Sequence, residues 1–162
     1  MREAPPWETV RGFSRQDMTI LVAEDNPDDV LLLKRVLGKV SPDLNVHVVR
    51  DGEETLQYLS GAGPFADRKM HPLPSLVLLD IRMPKLTGLE VLEWIRRHPQ
   101  LKGLPVVMLT DSESKANVAR AYELNVNSYL NKKPLFELPD VFKDVMNYWC
   151  KHNEPPDLGK GT

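Results

Sequence analysis

Thr19-Ile20-Leu21-Val22-Ala23-Glu24-Asp25-Asn26-Pro27-Asp28-Asp29 decides how the chain folds. Its first five residues carry no polar face, which is the pattern of a strand covered on both sides. The stretch then changes character within two residues. Glu24 and Asp25 follow the strand directly, and Asn26-Pro27 pairs a good N-cap with a proline where a missing N–H costs nothing. Asp28 and Asp29 fall in the first turn, where acids complement the helix dipole, and that is the whole role assigned to them here. Val30, Leu33, Leu37 and Val40 recur at helical spacing until Pro42 blocks continuation. The unit is a buried strand, a turn holding two carboxylates, and a helix.

The same alternation continues outward from it. Asn45–Val49, Leu76–Leu79, Val106–Leu109 and Asn127–Asn131 read as further strands. Between them, Asp51-Gly-Glu-Glu54 opens a helix with Leu56 and Leu59 inward, and 61–74 is a long loop. Thr87-x-x-Glu90 is a capping box for a helix through Arg97, and Asp111 or Ser112 caps a helix to about Leu124. Leu138, Val141, Phe142, Val145, Met146 and Trp149 form the inward stripe of a last helix, over 136–150. Five strands alternating with helices imply right-handed crossovers and a parallel sheet. The expected fold is an α/β, flavodoxin-like three-layer sandwich with strand order 2-1-3-4-5. The expected organisation is an N-terminal extension over 1–17, one domain over 18–150, and a flexible tail over 151–162.

Composition narrows the function. The 162 residues carry 21 basic and 23 acidic side chains, a net charge of -2, so nucleic-acid binding through bulk positive charge is not expected. One cysteine, Cys150, excludes an intrachain disulfide framework and a cysteine-rich zinc site. No apolar run approaches the roughly 20 residues of a membrane span, and no signal peptide is visible. The expectation is a cytoplasmic protein.

Ligands of such sheets sit beyond the carboxyl ends of the strands. Glu24 and Asp25 follow the first strand, Asp80 the third, Thr110 the fourth, and Lys132 and Lys133 the fifth. Three close carboxylates repel one another unless a cation neutralises them, and oxygen donors suit Mg²⁺. An aspartate beside such an ion can accept a phosphoryl group. A flavin site would need a phosphate-cradling loop after the first strand, where two acids stand instead. Aspartyl-nucleophile phosphatases commonly need a second aspartate two residues after the first, and Arg82 occupies that position.

Four signatures occur in order: Leu-Val-Ala-Glu24-Asp25-Asn-Pro, Leu-Leu-Asp80-Ile-Arg-Met-Pro84-x-x-x-Gly88, Val-Met-Leu-Thr110, and Asn-Ser-Tyr129-Leu-Asn-Lys132. Together they resemble a response-regulator receiver domain over about 18–150, of the stand-alone type associated with phytochromes. The resemblance implies roles. Asp80 is the expected phosphoacceptor, and Asp25 the direct ligand of Mg²⁺ or Mn²⁺. Glu24 acts on the ion, Asp80 contributes to its site, and the backbone carbonyl of Arg82 is a further ligand. Thr110 is the switch hydroxyl, Tyr129 the aromatic switch, and Lys132 the partner of the phosphoryl oxygens. The implied donor is a sensor histidine kinase of the phytochrome type. Apart from the resemblance, Tyr148 and Trp149 exceed what the inward stripe of the last helix needs, and the expected use of that apolar surface is a homodimer through the 112–124 helix, the fifth strand and the 136–150 helix. No nucleic-acid or membrane partner is expected.

Two departures favour a competing reading, a pseudo-receiver that docks partners without phosphorylation. The family usually has Lys-Pro directly after the fifth strand, whereas here the order is Lys132-Lys133-Pro134. Spacing from Tyr129 favours Lys132 and adjacency to Pro134 favours Lys133, with Lys132 preferred. Asp111 also stands where a small residue is usual, and is read here as a helix cap. The complete set of Glu24, Asp25, Asp80 and Thr110 argues against the competing reading. The length also leaves no room for an output domain, so the expected output is a change of surface.

Overall fold

The computed structural model describes residues 18–158. Strand β1 (Thr19–Ala23) is buried at every position, as a strand with helices on both faces must be. Asn26 caps α1 (Pro27–Val40): its side chain accepts from the backbone N–H of Asp28 at 2.9 Å and of Asp29 at 3.3 Å, with Pro27 in the first turn. Leu33, Val36, Leu37 and Val40 line its buried side. After β2 (Asn45–Val49), Asp51 caps α2 (Gly52–Ser60) by accepting from Glu54 N–H at 2.7 Å. Then come β3 (Leu76–Leu79), α3 (Gly88–Arg97, capped by Thr87), β4 (Val106–Thr110) and α4 (Lys115–Glu123). Strand β5 (Ser128–Asn131) leads directly into α5 (Lys132–Phe136) and on to α6 (Pro139–Asn147).

The five strands are parallel, in the order β2-β1-β3-β4-β5. This is the sandwich expected from the alternation. Successive residues of a strand point to opposite faces, and β1 divides accordingly. Leu21 and Ala23 join Val77, Leu79, Val91, Leu92 and Ile95 on one side. Ile20 and Val22 join Leu33, Leu37, Leu78, Phe142 and Met146 on the other. Each fully buried aliphatic side chain contributes about 1.5–3 kcal/mol relative to exposure, so these two layers carry the fold.

Local expectations fail in four places. Helix α4 is capped by Ser114, which accepts from Asn117 N–H, and not by Asp111 or Ser112. Strand β5 starts at Ser128, one residue late, because the Asn127 side chain instead accepts from Val106 N–H at 2.8 Å. The last helix is not continuous over 136–150: it breaks after Phe136 and restarts with Pro139 in the first turn of α6, since a mid-helix proline removes a hydrogen bond and clashes with the preceding turn. The restart rotates the stripe. Phe142, Met146 and Cys150 are buried, whereas Leu138 and Val141 are 52% and 47% exposed. Finally, the tail expected from Lys151 is packed well beyond that point. Residues 148–152 form a π-helical turn, and Leu158 rests on the core with its carbonyl accepting from Gln100 Nε2. Residues 1–17 and 159–162 lie outside the described residues. Among the described residues, no helix is long and apolar enough to cross a membrane.

Far from the carboxyl edge, the His47 ring lies 5.5 Å from Tyr58 and 5.7 Å from His71, centroid to centroid. His47 Nε2 and His71 Nδ1 are buried without a hydrogen-bond partner. Burial first, and the neighbouring His71 second, hold His47 below its ordinary value of 6.5. A depressed histidine contributes stability above its unfolded pKa and loses it as pH falls through the folded value. Relative to His47→Phe, the wild-type melting temperature is therefore expected to fall more, or rise less, on acidification below about pH 6.5. Equal slopes in thermal melts of the two proteins would refute this.

Candidate functional site

The register of the sheet assembles the site. Ala23 lies opposite Leu79 in the β1–β3 pair, so Glu24 and Asp80 leave the sheet side by side. Asp80 N–H still donates to Ala23 C=O at 3.1 Å, and Glu24 N–H to Val49 C=O at 3.0 Å, extending the ladder one rung. Thr110 pairs with Asn131, which places Lys132 just past the same edge. Sequence separations of 52 and more are thereby reduced to hydrogen-bond distance.

Glu24, Asp25 and Asp80 each offer one oxygen, and these atoms lie within 4.8 Å of one another. Glu24 and Asp80 are buried and Asp25 is exposed. Hard oxygen donors at this spacing, open to solvent on the Asp25 side, fit Mg²⁺ or Mn²⁺, which keep some of their waters. Burial pushes the Glu24 carboxyl up to about 7, with the charge of Asp80 adding to it and the Lys132 hydrogen bond opposing.

Lys132 is 2% exposed. Its Nζ donates to Asp80 Oδ2 at 2.8 Å and to Asp29 Oδ2 at 2.9 Å, and pairs with Glu24 Oε2. Burial disfavours its charge, but hydrogen bonds to Asp80, Glu24 and Asp29 outweigh this and hold the ammonium above the ordinary lysine value. Lys133 is exposed, and its N–H donates to the capping Asn131 side chain at 3.0 Å. Pro134 sits in the first turn of α5, where no N–H is required.

Thr110 is fully buried, and its Oγ1 accepts from Ser112 N–H at 3.3 Å. Tyr129 is half-buried; its hydroxyl donates to Ser112 C=O at 2.9 Å. Burial raises the phenol, the Ser112 bond lowers it, and the charge of Asp80 raises it further. Thr110 and Tyr129 therefore both engage the 110–112 segment. Asp111 is exposed and takes no part in the α4 cap assigned to it. The Arg82 side chain is exposed, while its N–H donates to Asp80 Oδ1 at 3.2 Å. The loop after Asp80 folds back so tightly that Gly88 N–H meets Ile81 C=O at 2.9 Å. A Cβ at Gly88 would stand 2.1 Å from the Asp80 carbonyl oxygen, so only glycine fits.

One residue of this site was not foreseen. The sequence accounts for Asp29 by the helix dipole alone, yet its carboxylate bonds Lys132 across 103 residues of sequence. The signal lay in the helical period. Asp29, Leu33, Val36 and Val40 share the inward stripe of α1, whereas Asp28 does not.

This constellation has relatives. The response regulator receiver domain family matches residues 20–141. The chain belongs to the response regulator receiver family. Rcp1, a response regulator of Synechocystis, is 37% identical over 141 residues, 85% of this chain and 92% of Rcp1. FilR2 of Methanothrix harundinacea, a probable methanogenesis regulatory protein, is 38% identical over 141 residues, 85% of this chain and 86% of FilR2. Among solved structures, the phosphorylated cyanobacterial phytochrome response regulator RcpA superposes with a TM-score of 0.79 at 34% identity, covering 86% of this chain and 99% of RcpA. The Mn²⁺-bound form of Rcp1 has the same TM-score, 0.79, at 35% identity and the same coverage. Receivers signal by phosphorylation, and this receiver's acidic cluster can take a divalent metal.

Proposed function

We propose that Asp80 is the phosphoacceptor of this receiver and that the chain itself catalyses the transfer from a sensor histidine kinase. The carrying observation is the buried Lys132 ammonium, 2.8 Å from Asp80 Oδ2 and beside a three-carboxylate cluster. An Asp80 oxygen attacks phosphorus of the donor's phosphohistidine; the P–O bond forms as the P–N bond breaks, and the imidazole leaves. Glu24, Asp25 and Asp80, with the Arg82 carbonyl, would hold a divalent ion, which neutralises charge in the transfer. Lys132 meets the phosphoryl oxygens as a point charge, and Thr110 supplies a hydroxyl to them. Drawing Thr110 to that group breaks its bond from Ser112 N–H, and Tyr129, tied to the same residue, follows. Hydrolysis of the acyl phosphate returns inorganic phosphate and the free carboxylate.

The phytochrome relatives favour a kinase of that type as donor. Phosphotransfer profiling from a panel of purified, ³²P-labelled kinases tests this: one kinase is expected to lose its label to this chain within seconds to minutes, and transfer from none would refute it. The output is a change of surface. Leu138, Val141 and Tyr148 on and beside α6, and Tyr122 on α4, are each about half exposed. Apolar surface of this kind suits a second copy of the chain, and a monomeric mass at micromolar concentration in both phosphorylation states would count against that.

A further inference from the structure

Lys132 has three N–H donors and three carboxylate partners, Glu24, Asp29 and Asp80. Two of those partners belong to the cluster that can take a cation, and Asp29 does not. Its side chain is only 20% exposed. Its backbone is fixed by the Asn26 cap, and its stripe on α1 is anchored below by Leu33 and Val36. The carboxylate is therefore aimed at the ammonium by a rigid helix, from outside the metal-capable group.

We propose that Asp29 is a positioning residue for phosphoryl transfer: it keeps the Lys132 ammonium beside Asp80 when the oxygens of Glu24 and Asp80 are drawn to a cation. The inference rests on the reading of Asp80 as phosphoacceptor. A lysine side chain is a long flexible stem, and a cation entering the cluster competes with the ammonium for the same carboxylates. Without a third anchor the ammonium would leave the site it must hold for the incoming phosphoryl oxygens. Asp29 supplies that anchor. An acid acting only on the helix dipole would have no reason to lie 2.9 Å from a buried lysine 103 residues away.

The test uses the full chain, ¹⁵N-labelled and saturated with Mg²⁺. Wild type is expected to show a protected lysine ammonium resonance, assigned by its loss in Lys132→Ala. Asp29→Asn should lose that resonance on addition of Mg²⁺, and Asp29→Glu should retain it. With acetyl phosphate as donor and saturating Mg²⁺, the maximal phosphorylation rate of Asp29→Asn should fall by up to about a hundredfold, the order expected for a misplaced catalytic group. Its half-saturating Mg²⁺ should stay within about twofold of wild type, because Asp29 is not a ligand. An ammonium resonance unchanged in Mg²⁺-saturated Asp29→Asn overturns the proposal, as does a loss of Mg²⁺ affinity as large as that of Asp25→Asn. If wild type accepts no phosphoryl group, the phosphoacceptor reading fails, and the ammonium resonance alone decides whether Asp29 holds Lys132.

Discussion

Asp80→Asn is expected to take up no phosphoryl group from acetyl phosphate and Mg²⁺ under conditions that fully modify wild type. The amide has nearly the shape of the carboxylate but no anionic oxygen to attack phosphorus. The fold should survive the change. Lys132 keeps Glu24 and Asp29 as partners, and the backbone N–H of Asp80 stays bonded to Ala23. One buried negative charge disappears from beside Glu24, and since that charge helps to raise the Glu24 carboxyl, its pKa should fall from about 7. The cluster also loses a ligand, so Mg²⁺ binding should weaken together with the loss of phosphorylation. Residual modification equal to that of wild type, read by intact mass, would place the acceptor elsewhere.

Lys132→Ala should be the most destabilising substitution at the site. It leaves Glu24, Asp29 and Asp80 facing one another with no protein cation between them, and Glu24 and Asp80 are buried. Removing one partner from a buried ionic group costs about 3–5 kcal/mol, and that loss is expected in metal-free buffer. Mg²⁺ binds the folded state and should recover part of it, about 2.7 kcal/mol at a hundredfold excess over Kd. Lys133→Ala removes an exposed side chain and should stay within about 0.5 kcal/mol of wild type. Urea melts of both variants with and without Mg²⁺ separate the two lysines. Equal losses, or a Lys132→Ala protein indifferent to Mg²⁺, would contradict the arrangement described here.

The strands were legible because the three central ones are buried on both faces and read as continuous apolar runs. Their carboxyl ends place Glu24, Asp25, Asp80 and Thr110 at one edge through topology, and the shorter edge strand β5 adds Lys132 there. What escaped notice depended on competition between equally plausible neighbours. Asp111, Ser112 and Ser114 can all cap a helix; Ser114 holds the cap, while the Ser112 hydroxyl accepts from the Asn117 side chain instead. Pro139 was visible, but the apolar spacing around it suggested an unbroken stripe; the proline prevailed and turned Leu138 and Val141 outward. Asp29 was hidden by a sufficient local explanation. A first-turn acid is favourable anywhere, and only the stripe it shares with Leu33 shows that it faces the site.

The central claim is that the phosphoryl group is carried by Asp80. Treating the phosphorylated protein with borohydride reduces an acyl phosphate and converts the modified aspartate to homoserine, which peptide mass spectrometry can place. Homoserine is expected at position 80, dependent on both Mg²⁺ and donor. Homoserine at Asp25 or any other acid, or none in a protein shown to be folded, would contradict it.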